Sequence, residues 1–228
     1  MKASSGHLWV PERGTMNAKE LVGKLHWLGH DSFRLDGPPV IYFDPWKLSG
    51  KLPEADLVLI SHEHHDHCSP DDVKKVSGPD TVVVAAAGAA KRLPGARAVR
   101  PGDRLSVAGI ELEAVRAYNT TKFRSPGVPF HPREAEHVGF VVTVGGARIY
   151  HAGDTDHIPE MAEIECDVAL LPASGTYVMT VEEAAEAART LSPQIVVPMH
   201  YGSGIGTAGD GQRLAELYDG DVVLLESE

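Results

Sequence analysis

The sequence has little cysteine, no long apolar run and no apolar leader, and each shortage argues against a class of protein. Only two cysteines, Cys68 and Cys166, occur in 228 residues, which disfavours a disulfide scaffold and favours a reducing compartment. The longest apolar stretch, Val82–Ala90, is too short to span a bilayer. The segment Met1–Gly14 lacks the apolar core of a signal peptide. We therefore expect a cytoplasmic protein without a membrane partner.

Positive charge is also scarce, because 21 lysines and arginines stand against 32 aspartates and glutamates, and the formal net charge is -11. Nucleic-acid binders need a basic surface, and anionic membranes repel an acidic protein. We therefore expect no nucleic-acid partner. The length suits one domain, and no linker or low-complexity segment divides it. We expect an N-terminal extension over residues 1–20 and one folded domain over residues 21–228.

Short β-branched runs alternate with turns and helical patterns in both halves of the chain. Three runs predict an opening antiparallel meander: Lys24–Trp27, Ser32–Leu35 and Val40–Phe43. Further strands are predicted at Leu57–Ile60, Val82–Ala85, Leu105–Val107, Ile110–Val115, Val138–Val144, Ala147–Tyr150, Val168–Leu171, Ile195–Val197 and Val222–Leu225. Helices are predicted after the Ser69-Pro70 cap, from the Thr180 capping box through Leu191, and over Gly211–Tyr218. Two sheets covered by outer helices would bury these elements, so we expect an α/β fold of the four-layer αββα type.

Histidine is the residue in excess: the chain has 12, and four of them fall between His62 and His67. This segment, His-Glu-His-His-Asp-His, directly follows the apolar run Leu57–Ile60. Imidazole and carboxylate groups suit zinc, manganese or iron better than calcium. His62 and His64 would bind one metal ion, and Asp66 and His67 would bind a second. The alternative is a solvated polar loop, which rarely shows this pattern by chance.

The pattern His-x-His-x-Asp-His after an apolar strand resembles the signature of the metallo-β-lactamase superfamily, and the resemblance implies that fold. Tyr150–Thr155 matches the family's Gly-Asp-Thr motif, whose aspartate, here Asp154, bridges two metal ions. Val197–Gly202 matches the late motif, whose histidine, here His200, binds the second metal. Asp44 matches an early aspartate that supports the site without binding metal.

The opening segment Trp27–Phe33 resembles the start of a subgroup that includes ascorbate-phosphate lactonase and uncharacterised metal-dependent hydrolases. His30, within this segment, lies either near the metals or in a turn, and the sequence leaves both open. His62, Asp154 and His200 each follow an apolar strand. Sites in α/β proteins gather at strand ends, so these positions support one shared site.

One position departs from the family pattern. The family supplies a third histidine ligand for the first metal just after a strand, where this chain has Asn119, and an amide is a poorer zinc ligand than imidazole. We favour His131 as the ligand, because it lies in the loop Asn119–Glu136, which is long enough to be functional. Asn119 and His151 are then expected to support the site or contact substrate. His137 borders a strand and is expected to face solvent.

The same loop carries three basic residues, Lys122, Arg124 and Arg133, in an acidic protein. Such a cluster is either solvated or a clamp for an anionic group of the substrate. We expect these side chains to face the entrance of the site.

The resemblance implies two divalent transition-metal ions, with zinc first and manganese or iron as alternatives. It also implies that metal-bound hydroxide hydrolyses a small-molecule ester, lactone or phosphodiester. Asp66, which would hold the proton of the nucleophile, and Asp154, which would fix the metal spacing, are the predicted catalytic residues.

The same fold is compatible with three other functions. Iron-dependent redox relatives typically carry glutamate where His64 stands, so His64 favours the hydrolases. A non-catalytic metal-binding descendant is indicated only by Asn119. Nucleic-acid processing is disfavoured by the net charge of -11, because polyanion binding depends on positive charge.

Overall fold

The computed structural model describes residues 16–202 and 204–228. The segment Met1–Gly14, expected to be a polar extension, lies outside the described residues. The first helix, α1, spans Ala18–Val22 and begins inside the range assigned to that extension. Asn17 and Glu20 form a capping box at its start, and Leu21 is fully buried. The boundary expected at residue 20 therefore falls inside a helix that packs on the domain. The division into an N-terminal extension and one folded domain otherwise stays a prediction.

Within the described residues, the first sheet has six strands whose order in space follows the chain. They are β1 (Leu25–Gly29), β2 (Ser32–Leu35), β3 (Ile41–Phe43), β4 (Ala55–Ile60), β5 (Ser77–Ala86) and β6 (Arg97–Val99). β1, β2 and β3 pair antiparallel, which confirms the predicted meander, and β3 to β6 pair parallel. β4 is buried on both faces, because Leu57 and Leu59 pack between the sheets while Val58 and Ile60 pack under helices.

The second half of the chain builds a seven-stranded sheet and a separate two-stranded ribbon from its described residues. The strands are β7 (Arg104–Val107), β8 (Ile110–Arg116), β9 (Phe123–Ser125), β10 (Val128–Pro129), β11 (Val138–Val144), β12 (Ala147–His151), β13 (Val168–Pro172), β14 (Ile195–Met199) and β15 (Asp221–Val222). β9 and β10 form the ribbon, and the sheet order is β15-β14-β13-β12-β11-β8-β7. β7, β8, β11 and β12 pair antiparallel, as predicted, and β12 to β15 pair parallel.

Helices cover both sheets and complete the four-layer αββα sandwich that the sequence predicts. α2 (Pro70–Val76) and α3 (Ala87–Ala90) pack against β5, while α1, α4 (Val181–Leu191) and α5 (Asp210–Leu217) pack against the second sheet. The predicted capping box of α4 is present between Thr180 and Glu183. None of the helices in the described part of the chain is long and apolar enough to cross a bilayer.

The last strand is shorter than the sequence predicts. β15 spans Asp221–Val222, whereas the apolar pattern predicts Val222–Leu225. Val223 N still donates to Val196 O, but the chain then leaves β14, and Glu228 N donates to Trp27 O at 3.0 Å. Apolar alternation cannot distinguish pairing with β14 from pairing with β1. β6, β9 and β10, which are short and partly or largely exposed, have no comparable apolar signal and were not predicted.

Candidate metal centre

Four ligand-type atoms meet at the carboxyl ends of β4 and β12. His62 and His64 follow β4, Asp154 follows β12, and His131 lies in the loop between β8 and β11. His131 Nε2 lies 3.1 Å from Asp154 Oδ2 and 3.2 Å from His64 Nδ1. His62 Nε2 lies 3.1 Å from His64 Nδ1 and 3.9 Å from Asp154 Oδ2. Ligands about 2.0–2.1 Å from a tetrahedral ion are about 3.3–3.4 Å apart, so this spacing suits a metal.

The second oxygen of Asp154 faces a different pair of histidines. Asp154 Oδ1 lies 3.4 Å from His67 Nε2 and 3.5 Å from His200 Nε2. His67 ends the histidine-rich segment after β4, and His200 directly follows β14. One carboxylate thus lies between two groups of imidazoles, which is the arrangement that a bridging ligand requires.

A second buried carboxylate, Asp31, also faces these two histidines. Its Oδ2 lies 3.7 Å from His67 Nε2, 3.8 Å from His200 Nε2 and 3.5 Å from His30 Nε2. His30 and Asp31 form the tight turn between β1 and β2. Asp31 is not among the residues predicted from the sequence, and its place beside His30 in the Trp27–Phe33 motif is the one signal that points to it.

Neighbouring side chains hold the opposite ring nitrogens of the metal-facing histidines. His67 Nδ1 lies 2.9 Å from Asp44 Oδ2, and Asp44 Oδ1 accepts a hydrogen bond from Ser61 N at 2.7 Å. His200 Nδ1 lies 3.0 Å from Ser174 Oγ. Partners at Nδ1 fix the ring orientation and direct Nε2 at the site. Asp44 therefore lies where the resemblance places it, behind a histidine rather than among the metal-facing atoms.

Three residues of the site have a left-handed backbone, with φ of 53° at His30, 41° at Asp44 and 54° at His200. Such conformations cost about 1–3 kcal/mol each outside glycine and persist where the surroundings hold them. His30 O accepts hydrogen bonds from His200 N at 3.1 Å and from Trp27 Nε1 at 2.9 Å. The turns that carry His30 and His200 therefore hold each other in place.

The buried charges of the site act strongly on one another. Burial alone would raise the pKa of Asp154, but His67, His200 and His131 lower it well below its usual range. Burial alone would lower the pKa of His200, but Asp154 raises it to about 9. Burial and the neighbouring His131 lower the pKa of His64 to about 4. Near neutral pH, an ionised Asp154 thus faces a neutral His64 that can donate a lone pair to a metal.

Several buried polar atoms of the site lack a hydrogen-bond partner within the described part of the chain. They are His30 Nε2, both carboxylate oxygens of Asp31, His67 Nε2, Asp154 Oδ1 and His200 Nε2. Buried polar groups are normally paired, and an uncompensated buried charge costs several kcal/mol. Nitrogen and carboxylate donors are those that transition metals prefer. The residues of this site therefore fit bound metal ions.

A family model described as the β-lactamase superfamily domain matches residues 24–200. The chain belongs to the β-lactamase superfamily. The matched segment contains the strands and motifs that deliver every metal-facing residue described above, from His30 to His200.

Relatives in this superfamily are similar to the chain along most of its length. A UPF0173 metal-dependent hydrolase from Methanoculleus marisnigri is 36% identical over 185 residues, which cover 78% of this chain and 80% of that protein. A second, from Thermoplasma acidophilum, is 32% identical over 212 residues, covering 85% and 90%. The crystal structure of a protein described as a metal-dependent hydrolase, from Parabacteroides distasonis, is 36% identical with a TM-score of 0.80, covering 90% and 93%.

In this superfamily member, an amide braces His131, the histidine predicted to complete the first metal group. Asn119 Oδ1 accepts hydrogen bonds from His131 N and His131 Nδ1, both at 2.9 Å. Asn119 Nδ2 donates to Asp156 Oδ1 at 3.0 Å and to Tyr177 O at 2.9 Å. Because both of these partners are acceptors, the amide oxygen is directed at His131. His131 Nδ1 then carries the proton, and Nε2 faces the other ligand-type atoms.

Replacing Asn119 with alanine is expected to weaken metal binding at the first group by about 10–100-fold, because groups that orient metal ligands have effects of this size. The measurement is competition with a chromophoric chelator. Asn17→Ala, which removes the asparagine that caps α1, is the matched control and should bind metal like the parent. An Asn119→Ala protein with parental affinity would show that His131 needs no brace.

Asp66 lies at the rim of the site, with its side chain 23% exposed and Oδ2 3.3 Å from His30 Nε2. It belongs to none of the compact groups of ligand-type atoms found among the described residues. Burial alone would raise its pKa, but the neighbouring imidazole of His30 lowers it below its usual range. Asp66 is therefore an ionised carboxylate that water can reach.

His137 is buried, so the expectation that it faces solvent is wrong. Its ring centroid lies 4.8 Å from that of His62, and its Nε2 lies 3.3 Å from Glu63 Oε2. Contact with His137 is the main reason that the pKa of Glu63 falls to about 2. Val138 N donates to Ser61 O at 3.0 Å, which draws the start of β11 against the histidine-rich segment.

His151 lies behind the turn that carries His30 and Asp31. Its Nε2 donates to Asp31 O at 2.8 Å, and its ring stacks on Phe43 with centroids 5.2 Å apart. These contacts indicate that His151 holds the turn of His30 and Asp31 in position.

Two of the three loop cations are already neutralised by acidic partners. Lys122 Nζ lies 2.5 Å from Glu183 Oε2, and Arg133 Nη2 lies 2.7 Å from Glu160 Oε1. Arg124 packs over an aromatic ring of the same loop. Of the three residues suggested as an anion clamp, only Arg124 is not paired with an acidic side chain among the described residues. Glu183 and Glu160, which are distant in the chain, pair with Lys122 and Arg133.

Proposed function

We propose that this metal-dependent hydrolase uses two divalent metal ions, zinc first, to hydrolyse a small-molecule ester, lactone or phosphodiester. The main support for this proposal is the position of Asp154, because its two carboxylate oxygens face two separate groups of imidazoles. Asp154 would be shared by two ions whose other ligands include His62, His64 and His131 for one and His67 and His200 for the other.

Bound ions of this kind lower the pKa of water towards neutrality and polarise the oxygen of the bond under attack. The chain itself supplies the groups that place water and move its proton. Asp66 is ionised and partly exposed, so it can accept a proton from water at the rim. His30 Nε2 lies 3.3 Å from Asp66 Oδ2 and 3.5 Å from Asp31 Oδ2. His30 therefore connects the rim carboxylate to the buried groups.

Neither cysteine suits a covalent mechanism. Burial raises the pKa of Cys68 and raises that of Cys166 to about 12. Because the thiolate is the nucleophilic form, both thiols stay protonated near neutral pH. The proposed reaction therefore does not use a cysteine nucleophile.

Among the three substrate classes, uncharged esters and lactones are favoured. Lys122 and Arg133 are neutralised by acidic partners, and the acidic chain repels polyanions. Phe130 and Tyr177 pack edge to face beside His131, with ring centroids 4.7 Å apart. Tyr177 remains 40% exposed, so an apolar surface adjoins the first metal group.

The proposal includes a cytoplasmic location and a small-molecule substrate, with neither a nucleic-acid nor a membrane partner. Both cysteines are free, which suits a reducing compartment. The net charge of -11 disfavours nucleic acids and anionic membranes alike.

A substrate panel in matched metal states tests the proposal. Metal-free protein is reloaded with Zn²⁺, Mn²⁺ or Fe²⁺ and assayed on an uncharged lactone, an uncharged ester and a phosphodiester. Turnover of the lactone or ester is expected only in loaded protein, lost on chelation and restored by metal. Metal binding without turnover of any class would contradict the proposal and favour a non-catalytic descendant. Metal-dependent oxygen consumption by the iron form, without hydrolysis, would favour the redox alternative.

A further inference from the structure

Asp156 lies two positions after Asp154 and is only 1% exposed. Its main-chain nitrogen donates to Tyr118 O at 2.9 Å, so it lies beside the chain that leaves β8. A buried carboxylate is costly unless it is hydrogen-bonded or paired. The groups that contact the Asp156 carboxylate come from the first four residues of the loop Asn119–Glu136, which also carries His131.

Both carboxylate oxygens of Asp156 accept hydrogen bonds from this loop. Oδ2 accepts from Thr120 N at 2.7 Å and Thr121 N at 2.6 Å, and from the two threonine hydroxyls at 3.3 Å and 3.0 Å. Oδ1 accepts from Asn119 Nδ2 at 3.0 Å, and Lys122 Nζ lies 3.7 Å from it. Each of these partners is a hydrogen-bond donor. One carboxylate therefore holds the start of the loop and the amide of Asn119.

The Asn119 amide connects Asp156 to His131. Its Oδ1 accepts from His131 N and His131 Nδ1, both at 2.9 Å, while its Nδ2 donates to Asp156 Oδ1. Asn119 N also donates to His131 O at 2.8 Å. A reversed amide would turn its NH₂ group to the His131 N–H and its oxygen to Tyr177 O, which now accepts from Nδ2 at 2.9 Å. Asp156 and Tyr177 O therefore direct the amide oxygen at His131.

We propose that Asp156 is a positioning residue for the first metal group and acts through Asn119 on the His131 ring. This inference rests on the proposed function and leaves the ligands of both ions unchanged. Asp156 belongs to none of the compact groups of ligand-type atoms found among the described residues. Its role is to hold His131 in the orientation that binds metal, and loss of such a group weakens binding although every ligand is still present.

The isosteric variant Asp156→Asn tests this role, because it replaces one acceptor oxygen with an NH₂ group and keeps the size of the side chain. The main-chain N–H groups of Thr120 and Thr121 cannot reverse, so the remaining oxygen has to face them. The new NH₂ group then faces Asn119 Nδ2, and two donors oppose each other. The Asn119 amide has to move or reverse, and the His131 ring loses its fixed orientation.

Titration of metal-free protein with Zn²⁺ against a chromophoric chelator measures the effect. In Asp156→Asn, the first ion should bind about 10–100-fold more weakly, which is the range for loss of a group that orients a ligand. The second ion should keep its affinity within about threefold, because Asp44 and Ser174 hold His67 and His200. The same titration of His131→Ala assigns the two binding steps, because that variant keeps the second group.

A double variant distinguishes action through Asn119 from a merely structural role. In the Asn119→Ala background the opposing donor is absent. Adding Asp156→Asn should then change the affinity for the first ion by less than about threefold, because the effects of residues in one hydrogen-bond network are not additive. A larger further loss in the double variant would show that Asp156 acts independently of Asn119 and would overturn the inference.

Asp167→Asn is the matched control. Asp167 also accepts from a main-chain nitrogen, Arg148 N at 2.8 Å, and from a side-chain amide, Gln194 Nε2 at 2.6 Å. It precedes β13, at the end of the sheet opposite to the site, so this variant should bind both ions like the parent. If Asp156→Asn does not fold, Asp156→Ala removes the acceptor without adding a donor and should still weaken the first ion by about tenfold.

The outcomes also separate this inference from the proposed function. Parental affinity for the first ion in Asp156→Asn, or in Asp156→Ala where the former does not fold, would overturn the role of Asp156 and leave the dinuclear hydrolase intact. Equal weakening of both ions would overturn it in the same way. A parent protein that binds no metal would defeat the proposed function, and the role of Asp156 with it.

Discussion

Replacing Asp154 with alanine is expected to lower the metal content from two ions to fewer than one per chain and to abolish most hydrolysis. Asp154 Oδ2 faces His131, and Asp154 Oδ1 faces His67 and His200, so one substitution removes a ligand from both groups. Metal ions contribute several kcal/mol of transition-state stabilisation. Because 1.36 kcal/mol corresponds to about tenfold in rate, we expect kcat/KM to fall by about 1,000-fold or more.

The measurements are elemental analysis of the purified variant and steady-state kinetics on the substrate that the panel identifies. Asp80→Ala is the matched control, because Asp80 is an exposed carboxylate in β5. The control should keep both ions and parental activity. An Asp154→Ala protein with unchanged metal content and turnover would end the assignment of Asp154 as the shared ligand.

Replacing His131 with alanine is expected to remove the ion of the first group while the second group keeps its own. His131 is 1% exposed, and its Nε2 lies 3.1 Å from Asp154 Oδ2. Without His131, the first ion would keep three protein ligands: His62, His64 and one oxygen of Asp154. That is one ligand fewer than the four of the tetrahedral arrangement that zinc prefers. We expect metal content near one ion per chain and activity at least about 100-fold lower.

His65→Ala is the histidine control, because the His65 side chain is 80% exposed, and it should match the parent in metal content and activity. Adding imidazole to His131→Gly should restore part of the lost metal binding, because the free ring can occupy the vacated space. Full metal content and activity in His131→Ala would instead show that another group completes the first position.

Strand-end reasoning places most of the site from the sequence alone. His62, Asp154 and His200 each follow a buried strand, and the fold brings those strand ends together. His131 could be predicted because the pattern lacked a histidine at Asn119 and a long loop followed. The hydrogen bonds from His131 to Asn119 could not be predicted from the sequence, because the orientation of the Asn119 amide depends on its contacts with Asp156 and Tyr177.

The remaining differences depend on contacts between distant parts of the chain. His137 is buried because β11 begins against the segment after β4, and a residue at the end of a strand carries no alternation signal. Lys122 is neutralised by Glu183, which lies 61 positions away. Asp31 lies beside the site because the fold brings His67 and His200 close to it. Neither the ion pair of Lys122 with Glu183 nor these contacts of Asp31 can be predicted from the local sequence pattern.

In the proposed dinuclear site, Asp154 joins two metal ions, and His131 holds one of them. Anomalous diffraction from crystals of the metal-loaded protein, recorded at the absorption edge of the bound metal, tests it most directly. We predict two peaks, one beside each carboxylate oxygen of Asp154, with His131 Nε2 about 2.0–2.2 Å from the first ion. A single peak away from Asp154, or two peaks with the His131 ring remote from both, would contradict the claim.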